Sequence, residues 1–182
     1  MSDADALLLE RFTHAKAEAF EQLFTRYYNQ VYRVLYGLVG SREEAEDLAQ
    51  ETFLTLYKQP PRLAAGTSLL AWLCRVAINR GYNALRGERR AHERLERAGR
   101  LDISPVFDPD AELIRAEDRA RVRAAMANLP ERQARLLQLR HAGLAYAEIA
   151  AVLDLAPGSI GTLLARAEKA FVTAYERTRA LA

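Results

Sequence analysis

The 182-residue chain reads as all-α: two small helical domains joined by a flexible linker, the second containing a helix-turn-helix. Three observations predict this. Ala, Leu, Arg and Glu are abundant, whereas Gly and Pro number only nine and six, a balance that favours helices. Apolar residues recur every three or four positions, and no segment alternates convincingly with a strand's period of two. The composition breaks once: GERRAHERLERAGR, from Gly87 to Arg100, is almost wholly polar, and residues 101–110 carry Pro105 and Pro109 with few apolar anchors. The break places a first domain at 8–96, a linker at 97–110 and a second domain at 111–178. No internal repeat of a few tens of residues is evident.

In the first domain, Phe20, Leu23, Phe24, Tyr27, Tyr28, Val31, Tyr32, Leu35 and Leu38 form a wide stripe at helical spacing, the mark of a core face rather than a cofactor box. Gly40 ends that helix, and Ser41 opens the next with Glu44 three residues on, a capping box. Within SREEAEDLAQETFLTLYK, Ala45, Leu48, Ala49, Thr52, Phe53 and Leu56 make the buried face. Asp47, Gln50, Glu51 and Leu54 line the opposite one. After Pro60 and Pro61, a helix from Leu69 to Leu85 turns Trp72, Leu73, Val76 and Ala77 inward and presents Asn79, Arg80, Asn83 and Arg86 on a polar surface.

The second domain begins with a helix from Ala111 to Asn128, with Asp108 as N-cap and Pro109 in the first turn. Leu129-Pro130 breaks it. Pro130 starts the next helix, with Ala134, Leu136, Leu137 and Leu139 apolar, and Gly143 closes it. From Gly143 to Lys169, GLAYAEIAAVLDLAPGSIGTLLARAEK has the spacing of a DNA-binding helix-turn-helix. Ile149, Ala150 and Leu153 form one apolar face, and Asp154 falls at the turn, where a left-handed backbone is tolerated by Asp. Pro157 and Ser159 suit a helix start, and Ile160, Leu163, Leu164 and Ala167 recur at helical spacing. An ordinary helical hairpin would share much of this pattern, so the rest of the chain must decide.

Bulk properties narrow the function. A net charge of +2 excludes a bulk nucleic-acid coat, so any DNA contact must be local. The single cysteine, Cys74, rules out an internal disulfide and a multi-cysteine metal cluster; within LLAWLCRVAI it reads as a small core residue. No N-terminal segment pairs a basic start with an apolar core, and the uncharged run from Leu63 to Cys74 is too short to span a bilayer, so a cytoplasmic protein is expected. Glu43, Glu44, Glu46, Asp47 and Glu51 crowd one helix, but carboxylates in a capped first turn are also what the helix dipole favours. His14, His92 and His141 are isolated from one another, and no phosphate loop or nucleophile motif is present, so no catalytic residue, metal or cofactor is expected.

Arg75, Arg80, Arg86, Arg89, Arg90, Arg94, Arg97 and Arg100 recur along one helical stretch, interspersed with Glu88, Glu93 and Glu96. A solvated helix laced with ion pairs would look the same. Trp72, Asn79 and Asn83 just upstream add a stacking surface and base-edge donors, the combination that single-stranded nucleic acid needs.

Together, DLAQETFLTLYK, WLCRVAINRGYNALR and LPERQ…LRHAGLAYAEIAAVL resemble the extracytoplasmic-function (ECF) sigma factors, the small two-domain class of bacterial promoter-recognition subunits. The resemblance runs from about Phe20 to Phe171 in the family's order, with the linker between, and no appended sensory domain is expected. It implies a four-helix region 2 that binds core RNA polymerase and melts and reads the −10 element, then a region 4 whose helix-turn-helix reads the −35 element. Matched by position, it implies polymerase binding by Asp47, Gln50, Glu51 and Leu54, on clamp helices of the largest polymerase subunit. It sets Leu69, Trp72, Asn79 and Asn83 around the −10 reading surface, and Arg86, Arg89 and Arg90 along the phosphates. Ser159, Thr162, Arg166 and Lys169 fall on the exposed side of the −35 recognition helix. The partners implied are core RNA polymerase, promoter DNA and an anti-sigma factor, often membrane-bound, that occludes the polymerase-binding surface. No small-molecule substrate is implied.

Two departures stand out. Where the family has a basic pair in a pattern like Gly-Thr-Val-Lys-Ser-Arg-Leu, this chain has Gly158-Ser159-Ile160-Gly161-Thr162-Leu163-Leu164, with Gly161 and Leu163 at the basic positions. Each lost base-reading contact is worth about 1–3 kcal/mol. Asn83 also stands where the family often has Asp. The alternative is a stand-alone helix-turn-helix regulator acting as a dimer, which leaves the Asp47–Glu51 surface and the Trp72–Arg90 segment without a role.

Overall fold

The computed structural model describes residues 3–12, 16–63, 68–97 and 113–180. Among the described residues the chain forms eight α-helices, one 3-10 turn and no strand. The first half holds α1 (Asp3–Arg11), α2 (Lys16–Val39), α3 (Arg42–Lys58) and α4 (Leu69–Arg97). The second holds α5 (Leu113–Ala127), α6 (Glu131–His141), α7 (Tyr146–Leu153), the 3-10 turn Pro157–Ser159 and α8 (Ile160–Ala180).

The junction of α2 and α3 forms as the local residues dictate. Gly40 takes φ +80°, closed to most side chains, and its N–H bonds the Tyr36 carbonyl at 3.0 Å. Ser41 caps α3 by accepting from the Glu44 N–H at 3.3 Å. The first core follows from the expected stripes: Leu23, Tyr27, Val31 and Leu35 of α2 pack with Ala45, Ala49, Phe53 and Leu56 of α3 and with Leu69, Leu73 and Ala77 of α4. Phe20, Phe24, Tyr28 and Tyr32 lie half-buried along its edge, with Phe24 and Phe53 edge-to-face at 4.8 Å. Ser68, which the sequence reading passed over, accepts from the Ala71 N–H at 3.1 Å and starts α4.

Helix α1 begins at Asp3, and its Asp5 is buried, accepting from the Tyr27 hydroxyl at 2.7 Å and from Arg26 at 2.8 Å. At the other end, α4 runs to Arg97, and the rest of the expected linker lies outside the described residues, as do Asp108, Pro109 and Ala111.

In the second half, Pro130 precedes α6 and Gly143 follows it at φ +89°. Asp154 ends α7 in the left-handed region, φ 54° and ψ 55°, and the Leu155 N–H closes the turn onto the Ala150 carbonyl at 2.9 Å. The two segments flanking this turn are bent by 112°, inside the roughly 90–120° of helix-turn-helix pairs. Ile149, Ala150, Ile160 and Leu164 bury its inner face.

The halves do not stand apart. Val34 of α2 and Ala71, Cys74 and Ile78 of α4 share one buried cluster with Leu136, Leu139, Leu144, Ile149, Ala150, Ile160 and Leu164. Helix α4 therefore carries two apolar faces, Leu69, Leu73 and Ala77 toward the first core and Ala71, Cys74 and Ile78 toward the second. Burial pushes the Cys74 thiol up to about 12, with the nearby Glu148 charge adding to it.

Candidate functional site

The residues that the sequence singles out fall on three surfaces. On α3, Asp47, Gln50, Glu51 and Leu54 recur at spacings of three, four and seven and share one exposed face. Leu54 keeps 46% of its surface exposed amid acidic neighbours, and Tyr57, one turn on, keeps 37%. An exposed apolar centre with a polar rim is the composition of a docking surface. Tyr57 was missed, although it continues the same spacing; Lys16 sits 4.3 Å from its ring centroid. Glu51 is not a loose carboxylate, because Arg80 of α4 bonds it and also donates to the Thr55 hydroxyl at 2.9 Å.

The acidic crowd around this face does not converge. Glu46 pairs with Arg42 at 3.0 Å on the helix surface, Glu51 with Arg80, and Glu44 is raised by burial and by Glu88. Among the described residues no three His, Cys, Asp or Glu side chains gather as a metal site would require.

On α4 the expected reading surface needs one correction. Leu69 has no exposed surface; it belongs to the first core, so it supports the helix and cannot face DNA. Trp72 is half-buried against the same core. Asn79, Asn83, Arg86, Arg89 and Arg90 are exposed. Arg86 donates to Asn83 Oδ1 at 2.8 Å, Arg90 turns back to the Arg86 carbonyl at 3.0 Å, and Arg94 to the Arg90 carbonyl at 3.1 Å. Successive guanidinium groups are thus strung along one flank of the helix, a geometry suited to a phosphate track.

Part of this surface meets α6. Arg135 donates to Asn79 Oδ1 at 3.1 Å, and Arg86 pairs with Glu131 at 3.3 Å. The Arg135 guanidinium lies 4.8 Å from the centroid of the Tyr82 ring. Burial, with Glu131 beside it, pushes the Tyr82 hydroxyl up to about 12, against the opposing effect of Arg135. Sequence spacing could not have found Glu131 and Arg135, since they lie some fifty residues from the groups they bind.

On the helix-turn-helix, Ser159 at the end of the 3-10 turn and Thr162, Arg166 and Lys169 of α8 recur at spacings of three, four and three. Thr162, Arg166 and Lys169 are exposed, whereas Ser159 is half-buried and spends its hydroxyl on the Ala156 carbonyl at 2.7 Å. Leu163 packs against the second core, which accounts for an apolar residue there. A Cβ at Gly161 would meet only the Tyr146 ring, at 3.7 Å. Tyr146 itself is exposed beside Gly161 at the start of α8, with Arg140 5.4 Å from its ring centroid; neither side chain was foreseen.

Two family models match the chain. Residues 23–91 match Sigma-70 region 2, and residues 119–171 match Sigma-70 region 4. The RNA polymerase sigma-H factor of Pseudomonas aeruginosa is 28% identical over 96% of this chain and 95% of its own length. The ECF RNA polymerase sigma-E factor of Haemophilus influenzae is 30% identical, over 91% and 92% respectively. Among solved structures, CnrH in complex with the cytosolic domain of CnrY shares the fold at a TM-score of 0.71, with 19% identity over 96% of this chain and 99% of that one. The sigma factor RpoE in complex with the anti-sigma factor NepR from Bartonella quintana shares it at 0.64, with 23% identity over 86% and 96%.

Proposed function

Because the chain belongs to the extracytoplasmic-function family of RNA polymerase sigma factors, we propose that it docks on core RNA polymerase through α3, reads and opens the −10 element with α4, and reads the −35 element with α8. The observation that carries this reading is the outward face of α3, where Asp47, Gln50 and Glu51 surround the exposed Leu54. A stand-alone DNA-binding regulator has no use for such a face.

We assign 8–96, with the start of α1 before it, to region 2 around the matched residues 23–91, 111–178 to region 4 around the matched residues 119–171, and 97–110 to the linker. Asn79 and Asn83 offer amide donors and acceptors to an unpaired base, Trp72 supports the helix behind them, and Arg86, Arg89 and Arg90 follow the phosphates. Thr162, Arg166 and Lys169 reach the major groove from α8, while the Ser159 hydroxyl donates to the Ala156 carbonyl within the entry turn. The protein is not an enzyme. Strand opening draws on capture of unpaired bases, which offsets the few kcal/mol of unstacking each base costs. A net charge of +2 gives little non-specific DNA affinity, so selectivity depends on polymerase placing the two readers.

CnrH is described in complex with the cytosolic domain of CnrY, and RpoE in complex with the anti-sigma factor NepR. By extension we assign this chain an anti-sigma partner and a cytoplasmic site of action; no single described helix is long and apolar enough to cross a membrane. Co-elution with core polymerase in gel filtration tests the reading. A DNA-binding dimer indifferent to polymerase would replace it with the stand-alone regulator.

A further inference from the structure

We infer that Tyr57, Lys58 and Lys16 extend the docking face of α3 beyond Leu54, and that the charge order of this longer face fits a partner helix in one direction only. This rests on the reading of α3 as the helix that docks on polymerase. It adds the shape and charge order of the surface that docks there.

Asp47, Glu51, Leu54 and Lys58 follow one another at spacings of four, three and four, and all four are exposed. That repeat is the seam along which one helix packs lengthwise on another. With one leucine and three charges, the seam is too polar to close on itself. It stays soluble until a partner supplies the opposite charges.

Charge is sorted along the seam. Asp47 stands at one end and Lys58 at the other, about 16 Å apart at the helical rise. Glu51, between them, already holds Arg80, so Asp47 is the carboxylate left for a partner. Among the described residues, Asp47, Lys16 and Lys58 take part in no ion pair. The dipole of α3 accounts for a basic residue in its last turn. It does not account for Lys16, which α2 delivers. The Lys16 ammonium lies 4.3 Å from the Tyr57 ring centroid, and Phe20 meets the same ring edge-to-face at 5.2 Å. Two contacts from α2 thus fix Tyr57 at the basic end of the seam while part of its ring stays exposed.

The matching surface is a helix that presents a basic side chain to Asp47, an apolar ridge to Leu54 and Tyr57, and an acidic side chain to Lys58 and Lys16. Its two charges stand about 16 Å apart, three turns of helix. Laid the other way, the same helix would set like charges together at both ends. Lys16 and Lys58 therefore select direction and register, while Leu54 and Tyr57 hold the contact.

Surface plasmon resonance of the full chain on immobilised core polymerase tests this. K16E/K58E should slow association about tenfold at low salt and much less at high salt, as for charges at an interface rim. R177E/R179E makes the same change of net charge on the exposed last turn of α8 and should stay within about twofold of the native rate. Tyr57→Ala should instead speed dissociation about tenfold. D47K/K58D, which exchanges the two ends, should associate more slowly than D47A/K58A, at equal net charge. Should K16E/K58E melt early, K16Q/K58Q is read in its place, with a loss of about threefold. Equal rates for K16E/K58E and R177E/R179E, or unchanged dissociation in Tyr57→Ala, would overturn the extended face. Equal rates for D47K/K58D and D47A/K58A would overturn the selection of direction. Weak binding of D47A/Q50A beside native binding of K16E/K58E would overturn this inference and leave the docking reading in place. Failure of the native chain to bind core polymerase would overturn both.

Discussion

Arg80 of α4 holds Glu51 of α3, and its second amino group donates to the Thr55 hydroxyl at 2.9 Å. One carboxylate of the proposed polymerase face is thereby tied to the residue next to Asn79. The pair is partly exposed and adds at most about 1 kcal/mol to stability. On the proposed reading its value lies in orientation, since it ties the face offered to polymerase to the helix offered to DNA.

Replacement of Asp47 and Gln50 together by Ala should weaken core-polymerase affinity by about 10–100-fold, as for paired anchors at a protein interface. Both side chains are exposed, so the thermal midpoint should not move. Surface plasmon resonance beside a melting curve checks this; unchanged affinity would place the polymerase face elsewhere. Arg80→Ala should cost less affinity and act mainly on promoter opening.

Asn79→Ala should impair strand opening in the polymerase complex while leaving polymerase affinity unchanged. Permanganate reactivity of unpaired thymines around the start site reads this directly. Native-level reactivity would remove Asn79 from the reading surface.

Much of this arrangement was legible, and the reason is local chemistry. Gly40-Ser41, Asp154 and the aromatic stripe of α2 each depend on residues within one or two turns of one another, so spacing alone finds them. The second apolar face of α4 was not legible. LLAWLC is apolar on every side, and periodicity cannot say that Leu69 and Leu73 serve one core while Ala71 and Cys74 serve another. For the same reason Leu69 passed for a surface residue. Ser159 is polar and correctly spaced, yet its hydroxyl is consumed by its own turn. Asp5, Glu131 and Arg135 act on partners 21 to 56 residues away, beyond any local pattern.

Asp5→Ala should destabilise the protein by about 1–3 kcal/mol, the cost of leaving the Tyr27 hydroxyl without its buried acceptor. Tyr27 also predicts an alkaline effect. Burial, then its bond to Asp5, raises the phenol from 10.0 to about 12. The folded state favours the neutral form, so this contribution is complete below about pH 10 and lost as pH rises through about 12. Denaturant unfolding across that window should show a falling stability whose slope is shallower in Tyr27→Phe. Tyr82 and Cys74, also raised to about 12, and Tyr28 and Tyr32, raised mainly by burial, add to the slope, that of Cys74 beginning near pH 9.

Gly161→Lys should strengthen binding of region 4 to −35 duplex without loss of fold. The new Cβ meets only the Tyr146 ring at an ordinary 3.7 Å, and a helical Gly is replaced by a better helix former. One added phosphate contact should steepen the log affinity against log salt by about 0.9. An unchanged slope would show that this position faces away from the duplex.

The central claim is that α3, α4 and α8 act together as a promoter-selectivity subunit, and run-off transcription tests it most directly. Core polymerase is mixed with the full chain on a library of randomised promoters, and the transcripts are sequenced. The account expects transcripts only when the chain is added, from templates enriched in two motifs at −10 and −35, with the −10 motif lost in Asn79→Ala and the −35 motif weakened in Arg166→Ala. Transcription that does not depend on the chain, or templates enriched in no motif, would contradict it.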